Sequence, residues 1–347
     1  MFTASRMTTI GRNQGKEENV VMNTHAVLAV VLNPAWQKTL SFHHLRAGHV
    51  NRAQWKRECG GGKGVNMARA LTCLQRPATV LQFAGGDAGD RLCTDMETLK
   101  IPHETVRIAQ ETRTCTTAIS ASEKSITELI EPSPRVSGVE QERMRRRGLE
   151  IAPRFGGIAI CGTFPEGFNP DITAAFARRA DPRAVVLLDG VRKVRHVLEE
   201  RVDILKVNKD EILELSGCES VYEAAAWSLK QFASLQLIAI TAGSKGAFLF
   251  SRDETREFRL PPLANVVNPI GAGDCVTGVF LSECTNLATA SEAVPGGRAR
   301  WAMDEVAAAF AYALACGSAS CLAPLPGDFS THNATRIHRS IQVGESD

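Results

Sequence analysis

Aromatic residues are scarce in this chain, at 6%, and neither sign of charge predominates: forty Lys and Arg stand against thirty-eight Asp and Glu, a formal charge of +2. So even a balance gives bulk electrostatics nothing with which to hold nucleic acid or an anionic membrane. No apolar run approaches the roughly 18 residues of a membrane span. The first 22 residues, MFTASRMTTIGRNQGKEENVVM, also lack the apolar stretch of a secretory leader. None of the ten cysteines forms a CxxC pair, which removes the commonest zinc and thiol-redox spacings. They read as reduced, mostly buried thiols of a cytoplasmic protein. There is no internal repeat and no long Pro/Ser linker. The phosphate loop GxxxxGK[ST] is missing, and no GxGxxG follows the first apolar run, which counts against a Rossmann-type dehydrogenase.

What is present is the rhythm of an α/β protein. Short apolar runs at His25–Leu32, Ala78–Phe83, Gly157–Cys161, Ala184–Leu188, Val202–Val207 and Leu237–Thr241 have the length of buried strands. Helix-length segments lie between several of them, at Asn66–Leu74, Asp171–Arg179, from Glu211 onward, and at Val221–Ser234. Strands alternating with helices predict a mostly parallel sheet covered on both faces. Two more polar stretches, Thr39–Arg57 and Thr114–Ile130, alternate like strands and predict a small accessory sheet, antiparallel in its pairing. One domain with a lid accounts for 347 residues better than two independent domains. Residues 1–22 read as a loose, dispensable tail, with Met7 and Met22 as alternative starts. The basic run Arg143-Met144-Arg145-Arg146-Arg147 follows Glu140 and Glu142 and reads as a solvated helix face.

Two glycine-rich stretches carry chemistry. Cys59–Asn66, CGGGKGVN, runs into the helix former MARAL. Glycines let a ligand approach the backbone, and a helix N-terminus offers unpaired amides. Residues 268–278, NPIGAGDCVTG, repeat the arrangement. Val266-Val267 is expected to end a strand, and Val276–Leu281 to be the buried start of a helix. Successive amides of Gly271, Ala272 and Gly273 would form an anion nest. A carboxylate beside a bound phosphate would repel it, so Asp274 needs another job. Either it caps the helix or it takes the proton of a hydroxyl that receives a phosphoryl group.

An early GGKGxN and a late GAGD, about two hundred residues apart, resemble the two signatures of the pfkB family of carbohydrate kinases, with the ribokinase-like fold. The similarity runs from about residue 23 to the end. Leu32-Asn33-Pro34-Ala35 with Thr39, Glu111-Thr112-Arg113 and Thr127–Pro132 (TELIEP) resemble its 1-phosphofructokinase and tagatose-6-phosphate kinase branch. Gly162–Gly167 (GTFPEG) resembles GSLPPG, Lys206–Glu211 (KVNKDE) resembles KPNxxE, and Thr241-Ala242-Gly243 with Gly246 resembles the nucleotide-side TxGxxG. The resemblance implies a three-layer fold with a β-sheet lid, at about 36–57 and 112–131, on a kinase domain over 23–347. It implies transfer of the γ-phosphate of ATP to a sugar hydroxyl, with Asp274 as base and Gly271, Ala272 and Gly273 as anion hole. Gln37, Gly62, Lys63, Asn66, Arg113 and Thr163 fall on the sugar side. Lys206, Asn208, Thr241, Gly243 and Gly246 fall on the nucleotide side, and Glu211 in a Mg²⁺ network that works through water. A homodimer through the lid is expected on the same grounds.

Arg113 decides the acceptor class. A forked guanidinium suits a phosphate already on the sugar, whereas the plainer reading is a surface ion pair with Glu111 or Glu128. Asn208 and Glu211 likewise read, on their own, as a helix cap and a surface acid. The departures from the branch cluster on the sugar side. Gln37 stands for an aspartate and Cys115 for an asparagine, Glu166 for a proline, and Gly190-Val191-Arg192 follows Asp189 where DTSG-like sequence is common. Such changes alter the hydrogen-bond partners that set specificity. A kinase of an unphosphorylated sugar or nucleoside is the alternative, and a non-catalytic sugar-phosphate sensor a more distant one.

Overall fold

The computed structural model describes residues 22–123, 125–290 and 301–345. The tail expected over residues 1–22 lies outside them, apart from Met22. The chain opens with β1 (Asn23–Val31), passes through β2 (Ala35–Phe42) and β3 (Trp55–Gly61), and enters α1 (Lys63–Cys73). Next come β4 (Ala78–Ala84), α2 (Gly86–Thr98) and β5 (His103–Arg107), then the pair β6 (Thr114–Ser120) and β7 (Ser125–Ile130). The alternation continues through α3 (Gly138–Ile151), β8 (Phe155–Cys161), α4 (Asp171–Arg179), β9 (Val185–Asp189), α5 (Arg195–Glu200), β10 (Ile204–Asn208) and α6 (Lys209–Ser216). After α7 (Val221–Gln231) follow β11 (Leu237–Thr241), β12 (Ala247–Phe250) and β13 (Thr255–Arg259). The last elements are α8 (Ala272–Ala290), α9 (Met303–Ser320), α10 (Thr331–His338) and β14 (Gln342–Glu345).

Ten strands form the central sheet in the order β14-β13-β12-β11-β10-β9-β8-β1-β4-β5. The seven from β5 to β11 are parallel, and β12, β13 and β14 extend that edge antiparallel. This is the ribokinase-like architecture. The apolar runs of the sequence become its centre, because a strand covered on both faces has no polar side to show. One core packs α1, α8 and α9 on one face, with Phe280 and Phe310 at 4.9 Å between ring centroids. The other packs α3, α4 and α7 against the opposite face around Phe83, Phe176 and Phe232. Each fully buried side chain of this size contributes about 1.5–3 kcal/mol.

The second sheet has four strands in the order β3-β2-β6-β7. Its outer pairs are antiparallel hairpin partners, while β2 and β6 run parallel, Gln37 opposite Cys115. β7 lies on its edge and is exposed along its whole length, Leu129 and Ile130 included. The basic run sits on α3 as a paired surface: Arg145 and Arg146 reach Glu142, and Arg147 bonds Glu104 and Glu150. Val266-Val267 does not end a strand. Two prolines, Pro261 and Pro262, and Asn265 at φ +59° turn this stretch into a loop, with Val266 half exposed. Among the described residues no helix is long and apolar enough to cross a membrane.

Candidate active site

Beyond the carboxyl ends of the parallel strands, where open α/β sheets bind ligands, five segments converge. They are the turns into α1 and α8, and the ends of β8, β9 and β10. Gly271 at φ +81° makes the sharp entry to α8, and a Cβ there would press to within 2.8 Å of Pro326. Asp274 follows in the first turn of that helix. Its Oδ2 accepts a hydrogen bond from Asn66 Nδ2 at 2.8 Å, joining the two glycine-rich stretches. Burial, then the negative charge of Asp189, pushes the Asp274 carboxyl up to about 6. That value suits a group that must take a proton near neutral pH. The Ala272 amide closes a turn on the Pro269 oxygen at 3.3 Å.

Asp189 is the hub of the site. It ends β9 with no exposed surface, and a buried charge persists only when paired and hydrogen-bonded. Lys63 Nζ lies 2.6 Å from its Oδ1, Lys206 Nζ 3.6 Å from its Oδ2, and the Thr277 hydroxyl donates to Oδ2. Burial works against its ionisation, but Lys206 and Lys63 hold the carboxyl below its ordinary range. Lys63 also reaches Glu211 Oε1 at 3.4 Å. Burial would lower its ammonium, yet Asp189, Asp274 and Glu211 together hold it well above the usual lysine range. Lys63, assigned to the sugar side from the sequence, thus points its ammonium at Asp189 and Glu211. Lys206, 4% exposed, lies against Gly273, whose Cβ would sit 3.1 Å from Nζ. Three carboxylates face two ammonium groups here, so negative charge is left over, which fits a divalent cation arriving with a polyphosphate.

Asn208 and Glu211 form a reciprocal capping box on α6. Asn208 Oδ1 accepts from the Glu211 amide at 2.8 Å and Glu211 Oε2 from the Asn208 amide at 2.9 Å. Their plain reading as a helix cap is therefore realised, and Glu211 Oε1 is turned to Lys63. A cavity of about 570 Å³ lies next to the α8 turn, lined by Thr241, Gly243, Gly246, Leu263, Val266, Gly273, Val276 and Leu314. A Cβ on Gly246, at φ +106°, would collide with the Phe258 carbonyl. A largely apolar slot ending at a glycine turn is shaped for a flat base with phosphates directed at the turn.

On the lid side, Gly62 caps α1 at φ +105°, close under Pro34. Gln37 is buried on β2 and donates from Nε2 to Thr117 Oγ1 at 2.8 Å, which leaves its carbonyl oxygen beside Gly61. Arg113 makes no ion pair with Glu111 or Glu128. Its Nη2 donates to the Asn33 carbonyl at 3.2 Å, and its Nε is buried without a partner among the described residues. Asn33 donates to Thr163 Oγ1 at 3.0 Å and to Ser133 Oγ at 2.7 Å, while its own Oδ1 has no partner among the described residues. Cys115 is buried and Glu166 exposed. Asn33 and Asp189 lie within or beside motifs visible in the sequence, and Thr277 within the stretch 268–278, but the sequence assigned none of the three a place in the site. A lone acid closing the apolar run VVLLD was the available signal for Asp189.

The family model for pfkB family carbohydrate kinases matches residues 23–332. Among solved structures, phosphofructokinase-2 from Escherichia coli in complex with substrates and products is similar at a TM-score of 0.78 and 19% identity, over 91% of this chain and 99% of that one. A possible 1-phosphofructokinase from Thermotoga maritima gives 0.77 and 19%, over 93% and 100%. Ribokinase from Giardia lamblia gives 0.73 and 17%, over 90% and 99%. At such identities these structures speak for the fold.

Proposed function

Because the chain belongs to the pfkB family of carbohydrate kinases, we propose that it transfers the γ-phosphate of ATP to a hydroxyl of a phosphorylated ketohexose, as a 1-phosphofructokinase or tagatose-6-phosphate kinase does. The observation that carries this is Asp274, held by Asn66 at the mouth of α8 with its carboxyl raised toward neutrality. Asp274 takes the proton of the acceptor hydroxyl. The hydroxyl oxygen bonds to the γ-phosphorus as the bond from that phosphorus to its bridging oxygen breaks, and ADP leaves. Lys206 and the Gly271–Gly273 turn, which lie against each other at Gly273, would stabilise the charge that spreads over the transferring group. Thr241, Gly243 and Gly246 border the base. Glu211 and Asn208 would hold Mg²⁺ through water, and the ion would supply neutralising charge to the phosphates.

Arg113 supports an acceptor that already carries a phosphate: a guanidinium with an unpartnered buried Nε beside Asn33 has donors left for one. Gly62 and Thr163 border the same space, and Gln37 offers an uncharged acceptor to a sugar hydroxyl. The kinase domain spans 23–347, with lid segments at about 36–57 and 112–131. The exposed Leu129 and Ile130 on the edge strand favour a second copy across the lid. The test is ADP release with Mg-ATP against fructose 1-phosphate, fructose 6-phosphate, tagatose 6-phosphate, free hexoses, ribose and nucleosides. Turnover on one phosphorylated ketohexose is expected. Turnover on an unphosphorylated acceptor alone would keep Asp274 and discard the acceptor class, and silence with ATP bound would favour a sensor.

A further inference from the structure

Asn66 holds the base through its amide nitrogen, and an amide can turn over. Its oxygen and nitrogen ends are nearly equal in size. A half-turn would present Oδ1 to the Asp274 carboxylate, and two acceptors would then face each other. The sense of the amide is fixed one turn further along α1. Arg69 is 3% exposed, and its Nη1 donates to Asn66 Oδ1 at 3.3 Å. A guanidinium has donors and no acceptor. The end of the amide that faces Arg69 is therefore the oxygen, and the nitrogen is left for Asp274, at 2.8 Å.

The same guanidinium reaches two turns that border the site. Nη1 also donates to the Pro326 carbonyl at 2.8 Å, and Nη2 to the Gly60 carbonyl at 2.7 Å. Pro326 is the residue against which Gly271 packs. Gly327, next to it, lies so close to α1 that a Cβ there would come within 2.3 Å of the Asn66 carbonyl oxygen. Asp95 on α2 holds the guanidinium from the other side, its Oδ2 accepting from Nη2 at 3.1 Å and from the Gly60 amide at 2.8 Å. A buried ion pair is a poor source of stability, and an apolar side chain would fill the same volume without taking a charge out of water. What an apolar side chain cannot do is select one end of an amide.

We propose that Arg69, held by Asp95, is a positioning residue for the phosphoryl transfer: it sets the sense of the Asn66 amide and ties the Pro326 loop to α1, which aligns Asp274 and the Gly271–Gly273 turn before substrates arrive. This inference rests on the kinase reading above. Buried behind α1, Arg69 acts through Asn66 and Pro326 and does not touch the reacting atoms itself. The advantage is preorganisation, since a base whose partner is already oriented needs no rearrangement at the moment of transfer.

The experiment compares the full native chain with Arg69→Met and Arg69→Lys, by kinetics on the acceptor that the panel above identifies and by carbon NMR of Asp274 in the free protein. In Arg69→Met the amide is free to turn. Its kcat should fall about 10- to 100-fold, the range of a hydrogen bond to a charged group, while the KM values of acceptor and ATP change little. The Asn66 donor favours the ionised carboxyl, so its loss should raise the Asp274 midpoint from about 6 to about 7. Asp189 on β9, Lys63 on α1 and Lys206 on β10 face the same carboxyl and are unchanged in both variants. The buried thiols of Cys161 and Cys275 stay uncharged through this range. Arg69→Lys keeps a cation beside Asp95, but a compact ammonium lacks the fork that serves Gly60 on one side and Asn66 with Pro326 on the other. It should show smaller changes in the same directions. Native kcat and midpoint in Arg69→Lys overturn the inference, which covers the case of a methionine variant that does not fold. A folded Arg69→Met with the native midpoint overturns it as well. So does a loss confined to the KM of the acceptor, which would leave Arg69 a support of the Gly60–Gly62 turn. A native chain that turns over no acceptor fails at the kinase reading instead, and the inference falls with it even where the midpoint moves.

Discussion

The two sides of the cleft hold their functional side chains differently. On the transfer side, Asp189, Lys63, Lys206, Thr277, Glu211 and Asn208 are tied into one network, and Asp274 is bound to Asn66. On the proposed acceptor side, among the described residues, Gln37 has one side-chain bond, to Thr117, and Arg113 one, to a backbone carbonyl. Buried polar atoms of Arg113 and Asn33 are left there without partners among the described residues. An orphaned buried donor costs about 1–3 kcal/mol, a cost that a bound ligand removes. The network side stands on strand ends and helix N-termini of the main sheet. The acceptor side rests largely on lid strands that pair only with one another. On the proposed kinase reading, the contrast separates chemistry, fixed before substrate arrives, from recognition, completed by the substrate.

The sharpest way to break this comparison is to remove the base. Asp274→Asn keeps the shape and the contact with Asn66 but cannot take a proton, so kcat should fall by roughly 10²–10⁴. ATP binding, measured by calorimetry, should be retained. Turnover near the native rate would remove Asp274 from the chemistry and leave it a structural acid. Its protonation gives a second handle. With the carboxyl raised to about 6, the base is ionised at pH 7.5 and protonated at pH 5, so kcat/KM should fall as pH drops through 6. Burial raises the Asp274 carboxyl most and the carboxylate of Asp189 adds to that, while the ammonium of Lys63, the Asn66 hydrogen bond and the ammonium of Lys206 pull it down. Substrate phosphates titrate in the same range. The free protein is therefore followed by carbon NMR, the Asp274 signal being the one lost in Asp274→Asn. A midpoint near 4 would show the carboxyl to be solvated in solution.

A smaller effect is expected across the cleft. Arg113→Ala should raise the KM of a phosphorylated acceptor about 10- to 100-fold, the range of a charge-assisted hydrogen bond or pair of them, and change the KM of ATP little. Equal changes in both would mean that Arg113 supports the lid and does not read the phosphate. That outcome would erase the distinction between a pre-formed and a substrate-completed side.

How far the sequence discloses this arrangement follows the same division. Buried parallel strands appear as uninterrupted apolar runs, so His25–Leu32 and Leu237–Thr241 announce the sheet, and Asp171–Arg179 coincides with α4. Glycines at the entries to α1 and α8 are visible because only they tolerate the backbone there. The partners of Asp189 were not legible, since Lys63 is 126 residues away and Thr277 is 88. Long-range ion pairs leave no periodicity in a chain. Nor does alternation reveal that β2 joins β6 in parallel, or that the prolines before Val266 keep that segment out of the sheet.

The least disruptive change tests the acceptor side most finely. Thr117 is fully buried on β6 and its hydroxyl accepts from Gln37 Nε2, so the amide is fixed with its carbonyl oxygen beside Gly61. Thr117→Val removes the acceptor at nearly constant volume. The amide can then rotate and present a donor or an acceptor to the sugar. Stability should drop by about 1 kcal/mol, the net value of one such bond, seen as a lower midpoint in urea. The KM of the sugar should rise only a few-fold, because the amide still finds the productive orientation part of the time. ATP parameters should not move, since no element of the network on β9, β10 or α8 changes. A variant in which kcat falls instead would mean that Gln37 positions the reacting hydroxyl, and the boundary between recognition and chemistry would then run through β2.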